Sequence, residues 1–92
     1  MIKSFKHKGL EIFFLSGNIK GINPEHKFKI KRVLTYLDSA KIIEDMDIAG
    51  FKLHKLKGNM QNLWAVKISG NYRITFEFNN GNAYILNYQD YH

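Results

Sequence analysis

The sequence has no cysteine. That excludes a disulfide scaffold, a thiolate zinc site and a cysteine nucleophile together. A chain of 92 residues without crosslinks must be stabilised by packing, by a partner, or by both. Proline occurs once and no Pro/Gly/Ser-rich stretch resembles a linker, so residues 1–92 read as one domain. No apolar run approaches the roughly 20 residues of a transmembrane helix, and the N-terminus lacks an apolar signal-peptide core. The cytoplasm is the expected compartment, with no membrane partner. Acidic residues are also scarce, eight against fourteen Lys and Arg, for a net charge of +6. The excess favours a polyanionic partner. It is evenly spread, with nine basic and six acidic residues in 1–50 and five and two in 51–92. There is no basic tail, so the fold itself must build any anion-binding surface.

What is present is ample apolar material, 45% of residues with 14% aromatic, which argues against disorder. Periodicity changes once, near Gly50. Before it, Leu10, Phe13 and Phe14 followed by Gly17 predict a short helix over 6–16. Asn23 as cap, Pro24 at the first helical position and Glu25 in the first turn open a second helix. Its buried face is Ile30, Val33, Leu34, Leu37 and Ala40, with Lys27, Lys31 and Arg32 outside. Met1–Ser4 reads as a short edge strand and Ala40–Met46 as a weaker helical piece.

After Gly50 the period is two. Phe51 and Leu53 alternate with Lys52 and His54. Trp64, Val66 and Ile68 form the apolar side of the next run, and Tyr72, Ile74, Phe76 and Phe78 that of a third. A last run begins at Ala83. Hairpin-length gaps make the sheet antiparallel. A two-residue loop at Gly70-Asn71 would set Ile68 against Arg73, mixing core with charge. A three-residue loop over 69–71 instead pairs Ile68 with Tyr72, Val66 with Ile74 and Trp64 with Phe76, and is preferred. Asn80-Gly81 is the type I′ signature. Counting from it sets Phe76 against Ile85 and Tyr88 against Arg73, with Asp90 and His92 on that same side.

The face away from the helices then collects Lys67, Arg73, Asp90 and His92, with His54 beside them. Two imidazoles supply a proton acceptor and donor near neutral pH, and fixed cations stabilise a dianionic phosphorane. Phosphodiester cleavage needs this set. Each residue also has a plain structural reading: a lone histidine on a strand is usually a surface residue, and Lys52, Lys55 and Lys57 are by default a solvated edge. Trp64, Tyr72, Phe76 and Phe78 read as core, and His7 and His26 as surface. A metal site at Asp90 and His92 is the rival chemistry, but no HxxxH pair or second carboxylate supports it.

Taken together, Lys52-Leu53-His54-Lys55-Leu56-Lys57-Gly58, Trp64, Asn71-Tyr72-Arg73-Ile74-Thr75-Phe76 and Tyr84-Ile85-Leu86-Asn87-Tyr88-Gln89-Asp90-Tyr91-His92 resemble HigB toxins of the RelE/ParE toxin–antitoxin superfamily. The resemblance extends to the opening Met1–Leu10. It implies an α+β fold, two N-terminal helices packed on a twisted, mainly antiparallel sheet of about four to five strands. It also implies a ribosome-dependent endonuclease that cuts mRNA in the A site by 2′-OH attack, without a metal or other cofactor.

Carried over position by position, the catalytic set is His54, Lys57, Arg73, Asp90, Tyr91 and His92. His92 would be the principal proton-transfer residue, as general acid to the leaving 5′-oxygen, and His54 would orient or assist the 2′-OH, although the sequence does not fix which histidine is acid and which is base. Arg73 and Lys57 would hold the phosphorane, Asp90 would tune a histidine and Tyr91 would orient a nucleotide. Lys27, Lys31, Arg32, Lys55 and Lys67 are the expected RNA contacts. The implied partners are the 70S ribosome with mRNA and a HigA-type helix-turn-helix antitoxin, the free toxin being a monomer. The family often has Pro where this chain has Lys55 and Trp where it has Tyr72. Two rivals stand beside this reading: a ParE-like gyrase-binding toxin without RNase chemistry, and a non-enzymatic nucleic-acid-binding module.

Overall fold

The computed structural model describes residues 1–60 and 62–91. The first helix, α1 (Lys8–Ser16), starts where His7 turns extended and its Nδ1 accepts the Leu10 N–H at 3.0 Å. It stops at Gly17, whose φ of +79° lets its N–H return to the Phe13 carbonyl at 2.8 Å. Asn23 Oδ1 accepts the Glu25 N–H at 3.0 Å and opens a 3₁₀ turn over Pro24–His26. That turn runs directly into the second helix, α2 (Lys27–Ser39), so proline does sit where its missing N–H costs nothing. The α2 residues Ile30, Val33, Leu34 and Leu37 are buried as the periodicity requires. In place of the helical piece expected over Ala40–Met46 there is a 3₁₀ turn over Ile43–Met46, with Asp45 Oδ2 capping the Lys41 and Ile42 N–H groups at 2.8 and 3.2 Å.

Among the described residues four strands follow, β1 (His54–Lys55), β2 (Trp64–Ser69), β3 (Tyr72–Asn79) and β4 (Asn82–Asp90). They form one antiparallel meander in the order β1-β2-β3-β4. The fold class is therefore the α+β arrangement expected, with α2 in mid-chain. α1 packs on β4, and α2 on β2 and β4. Between them lies one core that includes Leu10, Ile30, Leu37, Met46, Phe51, Ile74, Phe76 and Leu86, all fully buried. Truncating a residue such as Leu37 to Ala in a core of this kind costs about 2–5 kcal/mol.

Three expectations about the sheet need correction, each for a local reason. The expected strand around Phe51–His54 is only two residues long, because Lys52 has φ +50° and breaks the extended run. The first hairpin does pair Val66 with Ile74 and Trp64 with Phe76, but its end pairs Ser69 with Tyr72, leaving Ile68 in a bulge. A two-residue turn and core-side pairing thus coexist, the bulge absorbing the mismatch. The second hairpin closes on Asn80-Gly81 with φ of +52° and +77°, the type I′ geometry expected.

A second bulge then shifts the β3–β4 register between Thr75 and Glu77. Ile85 sits in it at φ +50°, a conformation a β-branched residue avoids unless its surroundings hold it there. Its N–H donates to Ser4 Oγ at 2.8 Å. Arg73 consequently faces Gln89, not Tyr88, and Phe76 is no longer opposite Ile85. The N-terminal segment runs parallel to β4 through two isolated bridges, Ile2 with Ala83 and Phe5 with Leu86, on either side of that bulge. It covers the β4 edge without forming a continuous strand. Gly9 and Gly21 meet backbone to backbone beneath α1: a Cβ on Gly9 would lie 2.5 Å from the Gly21 carbonyl oxygen.

Candidate active site

Phe51 fixes the near wall of the site. Its ring is fully buried, meets Tyr36 edge-on at 5.7 Å, and its carbonyl accepts the Lys67 N–H at 2.7 Å. Anchoring Phe51 sets the course of the next residues, Lys52 in its left-handed conformation and then His54. His54 Nδ1 lies 2.9 Å from the Lys52 carbonyl oxygen. A carbonyl only accepts, so Nδ1 carries the proton in the neutral ring and Nε2 keeps its lone pair. The imidazole is exposed, with its basic nitrogen free to meet a substrate.

Arg73 lies in the middle of the sheet, paired with Lys67 on β2 and Gln89 on β4. It is only 8% exposed. The Gln89 amide is oriented with its oxygen toward the guanidinium, accepting from Nε at 3.0 Å and Nη2 at 2.9 Å. Tyr91 stacks on the guanidinium, its ring centroid 3.8 Å from Cζ. The Tyr91 N–H is held by the Asn71 carbonyl at 2.7 Å. Lys52, His54, Lys67, Asn71, Tyr72, Arg73 and Tyr91 line one depression of about 260 Å³. Of the expected set, His54, Arg73, Tyr91 and Lys67 converge here.

The others do not. Lys55 and Lys57 line a different depression with Leu56, Gly58 and Asn62, and Lys55 Nζ lies 5.6 Å from the centroid of the Trp64 ring. Asp90 is paired with Tyr72 and so shares the Tyr88 side of β4, not the Arg73 side, which corrects the shared face expected from an unbulged strand. Its carboxylate bears on the Tyr88 phenol, whose pKa is raised mainly by burial, with Tyr72 and Asp90 adding to it and the Asn23 N–H opposing. His92 lies outside the described residues. Lys27 and Lys31 face a groove of about 620 Å³ between α1 and α2, walled by Phe14, Leu15 and Phe28. Arg32 turns the other way, its guanidinium 5.3 Å from the Phe51 centroid and 5.5 Å from that of Tyr36. Among the described residues no three His, Asp or Glu side chains gather as a metal site would require.

Behind the depression is a polar cluster that sequence reasoning missed. His26, expected at the surface, is buried, with Nδ1 2.6 Å from the Tyr88 hydroxyl. The Asn23 N–H donates to that same hydroxyl at 3.4 Å, so one phenol links the buried imidazole to the start of the 3₁₀ turn. Tyr88 stacks on Tyr72 at 5.2 Å, and His26 meets Tyr72 edge-on at 4.7 Å. His7, also expected at the surface, is half-buried at the α1 cap with its ring 5.4 Å from that of Tyr88. These rings brace the Tyr72 wall of the site. Gln89, Lys52 and Asn71 were likewise missed, and the bulged register would have been needed to find Gln89.

The sequence model of the HigB-like toxins, the RelE-like toxins of the type II toxin–antitoxin system HigB, matches residues 3–92. The chain belongs to this family. It is also 46% identical to endoribonuclease HigB of Proteus vulgaris over 92 residues, which is 100% of both chains. A toxin of a type II system has an antitoxin partner. No helix among the described residues of the toxin is long and apolar enough to cross a membrane.

Proposed function

We propose that this toxin is an endoribonuclease that cuts mRNA in the ribosomal A site. The observation that carries the reading is the convergence of a histidine with a free Nε2 and a clamped arginine on one depression. The name of the Proteus vulgaris relative supports the same chemistry. His54 Nε2 takes the proton of a ribose 2′-OH as its oxygen attacks the adjacent phosphorus. The bond from phosphorus to the 5′-oxygen breaks, that oxygen is protonated by His92, and the products are a 2′,3′-cyclic phosphate and a 5′-hydroxyl. Both protons are accounted for, and no metal takes part in the step.

Arg73 stabilises the phosphorane. Gln89 fixes its plane, so the remaining N–H groups are aimed before the charge develops. Tyr91 offers the ring on which a nucleotide is oriented, and Lys67 adds positive charge at the rim. Lys57 and Lys55, in their neighbouring depression, contact the RNA beyond the scissile phosphate. The ribosome supplies the near-attack geometry that so shallow a site does not impose alone. The antitoxin is of the HigA helix-turn-helix type. Primer extension on mRNA after induction tests the reading: discrete cuts at A-site codons support it, and uncut message in growth-arrested cells refutes it.

A further inference from the structure

The basic residues of α2 divide into two sets. Lys27 and Lys31 belong to the apolar groove beside α1, whereas Lys29 and Arg32 turn toward the loop that carries Lys52. Lys29 Nζ donates to the Gly50 carbonyl at 2.8 Å, and the Arg32 guanidinium lies against the Phe51 ring. Lys67 lines the Arg73 depression together with Lys52, and its backbone N–H is tied to the Phe51 carbonyl. Four cations thus gather around residues 50–52, next to Arg73. None is in an ion pair with a carboxylate among the described residues; the ion pair found there is Lys8–Glu11, on α1. Their mutual repulsion is felt at Lys29, whose pKa is lowered first by burial and then by Lys67, Arg32 and Lys52.

Like charges packed this way destabilise the free protein, and an anion relieves them. We propose that Lys29, Arg32, Lys52 and Lys67 form a second phosphate-binding subsite, continuous with the Arg73 depression, that holds backbone phosphates of RNA. It rests on the endoribonuclease reading and extends it, because it gives the RNA strand a path from the reacting phosphate across the loop toward α2. The phosphates come either from the message being cut or from ribosomal RNA. Lys29 and Lys67 are half-buried, and Lys29 is held by a backbone carbonyl, while Arg32 and Lys52 are exposed and open to a ligand.

The test uses the full-length toxin and programmed 70S ribosomes whose A-site codon carries 2′-deoxyriboses, so that binding is read without cleavage. Lys29→Gln and Lys52→Gln are expected to bind about threefold or more weakly at about 0.1 M salt, and to lower the salt slope by about 0.7 for each phosphate no longer neutralised. Lys29→Arg restores binding. Circular dichroism melts should show the Gln variants folded and no less stable, because repulsion has been removed. Methylphosphonates placed singly along the message separate the two sources. If the message is bound, one neutral linkage weakens the wild type and has no further effect on Lys29→Gln. If ribosomal RNA is bound, the variant is weakened on every message alike. Folded Gln variants with wild-type affinity and an unchanged salt slope overturn the subsite. Cleavage of an all-ribose message by the wild type is measured in parallel: its absence alongside weakened variants refutes the nuclease reading and leaves the subsite standing.

Discussion

Replacing Arg73 by Met removes the charge while filling most of the same buried volume. The guanidinium has five N–H groups. Gln89 uses two of them, one on Nε and one on Nη2, leaving three for a phosphate. Two charge-assisted hydrogen bonds to the equatorial oxygens, at about 1.5–3 kcal/mol each before the part already present in the ground state is subtracted, correspond to about 3–4 kcal/mol of transition-state stabilisation. Arg73→Met should therefore lower the single-turnover cleavage rate on programmed ribosomes by about 10²–10³. Arg73→Lys keeps the charge but gives up the planar fork, the Gln89 clamp and the Tyr91 stack, and should recover about tenfold of that deficit. Ribosome affinity should fall far less than the rate, since it rests on many contacts. A folded Arg73→Met protein cutting within about threefold of the wild-type rate would refute the phosphorane role.

Three further outcomes are expected. His54→Ala and deletion of His92 should each slow cleavage by about 10²–10⁴ with the melt of the protein almost unchanged, a pair of single-turnover and circular dichroism measurements that also tests whether both imidazoles act. Tyr88→Phe leaves the buried His26 Nδ1 and the Asn23 N–H without their hydroxyl and should cost about 1–3 kcal/mol, read as a drop of about 4–8 °C in Tm for each kcal/mol. The His7 pKa is depressed from 6.5, chiefly by burial, with its own backbone hydrogen bond opposing. The unfolded chain therefore binds the proton first as pH falls, so the stability present above pH 6.5 is lost as pH drops through the folded value. His7→Asn, which can still cap α1, should flatten that dependence in urea melts at about pH 7.5 and about pH 5.5.

Elements governed by neighbouring residues were legible in the sequence. The αL glycine that ends α1, the Asn23 cap and the Asn80-Gly81 turn are local chemistry, and each forms as read. Along β3 and β4 the register was legible only as far as the Ile85 bulge. The Ile85 bulge depends on the hydroxyl of Ser4, 81 positions away, and no periodicity in β4 announces it. One extra residue there exchanges Tyr88 for Gln89 opposite Arg73 and moves Asp90 to the other side. His26 failed for the same reason: its partner, Tyr88, is 62 positions distant. His7 is the opposite case, a local cap that went unseen because histidine is not among the usual capping residues. His54 and Arg73 were singled out on their chemistry, and both line one depression.

The approach of Gly9 to Gly21 leaves a seam too narrow for a methyl group, since a Cβ on either would meet the other's backbone at 2.5 Å. An alanine at either position has to wedge α1 away from the chain that follows it. α1 begins at His7, whose ring touches Tyr88, and Tyr88 lies against Tyr72 in the wall of the His54–Arg73 depression. Three rings in contact thus connect the seam to the wall of the depression. Two residues that have no side chains thereby stand at one end of a line of contacts whose other end is the His54–Arg73 depression.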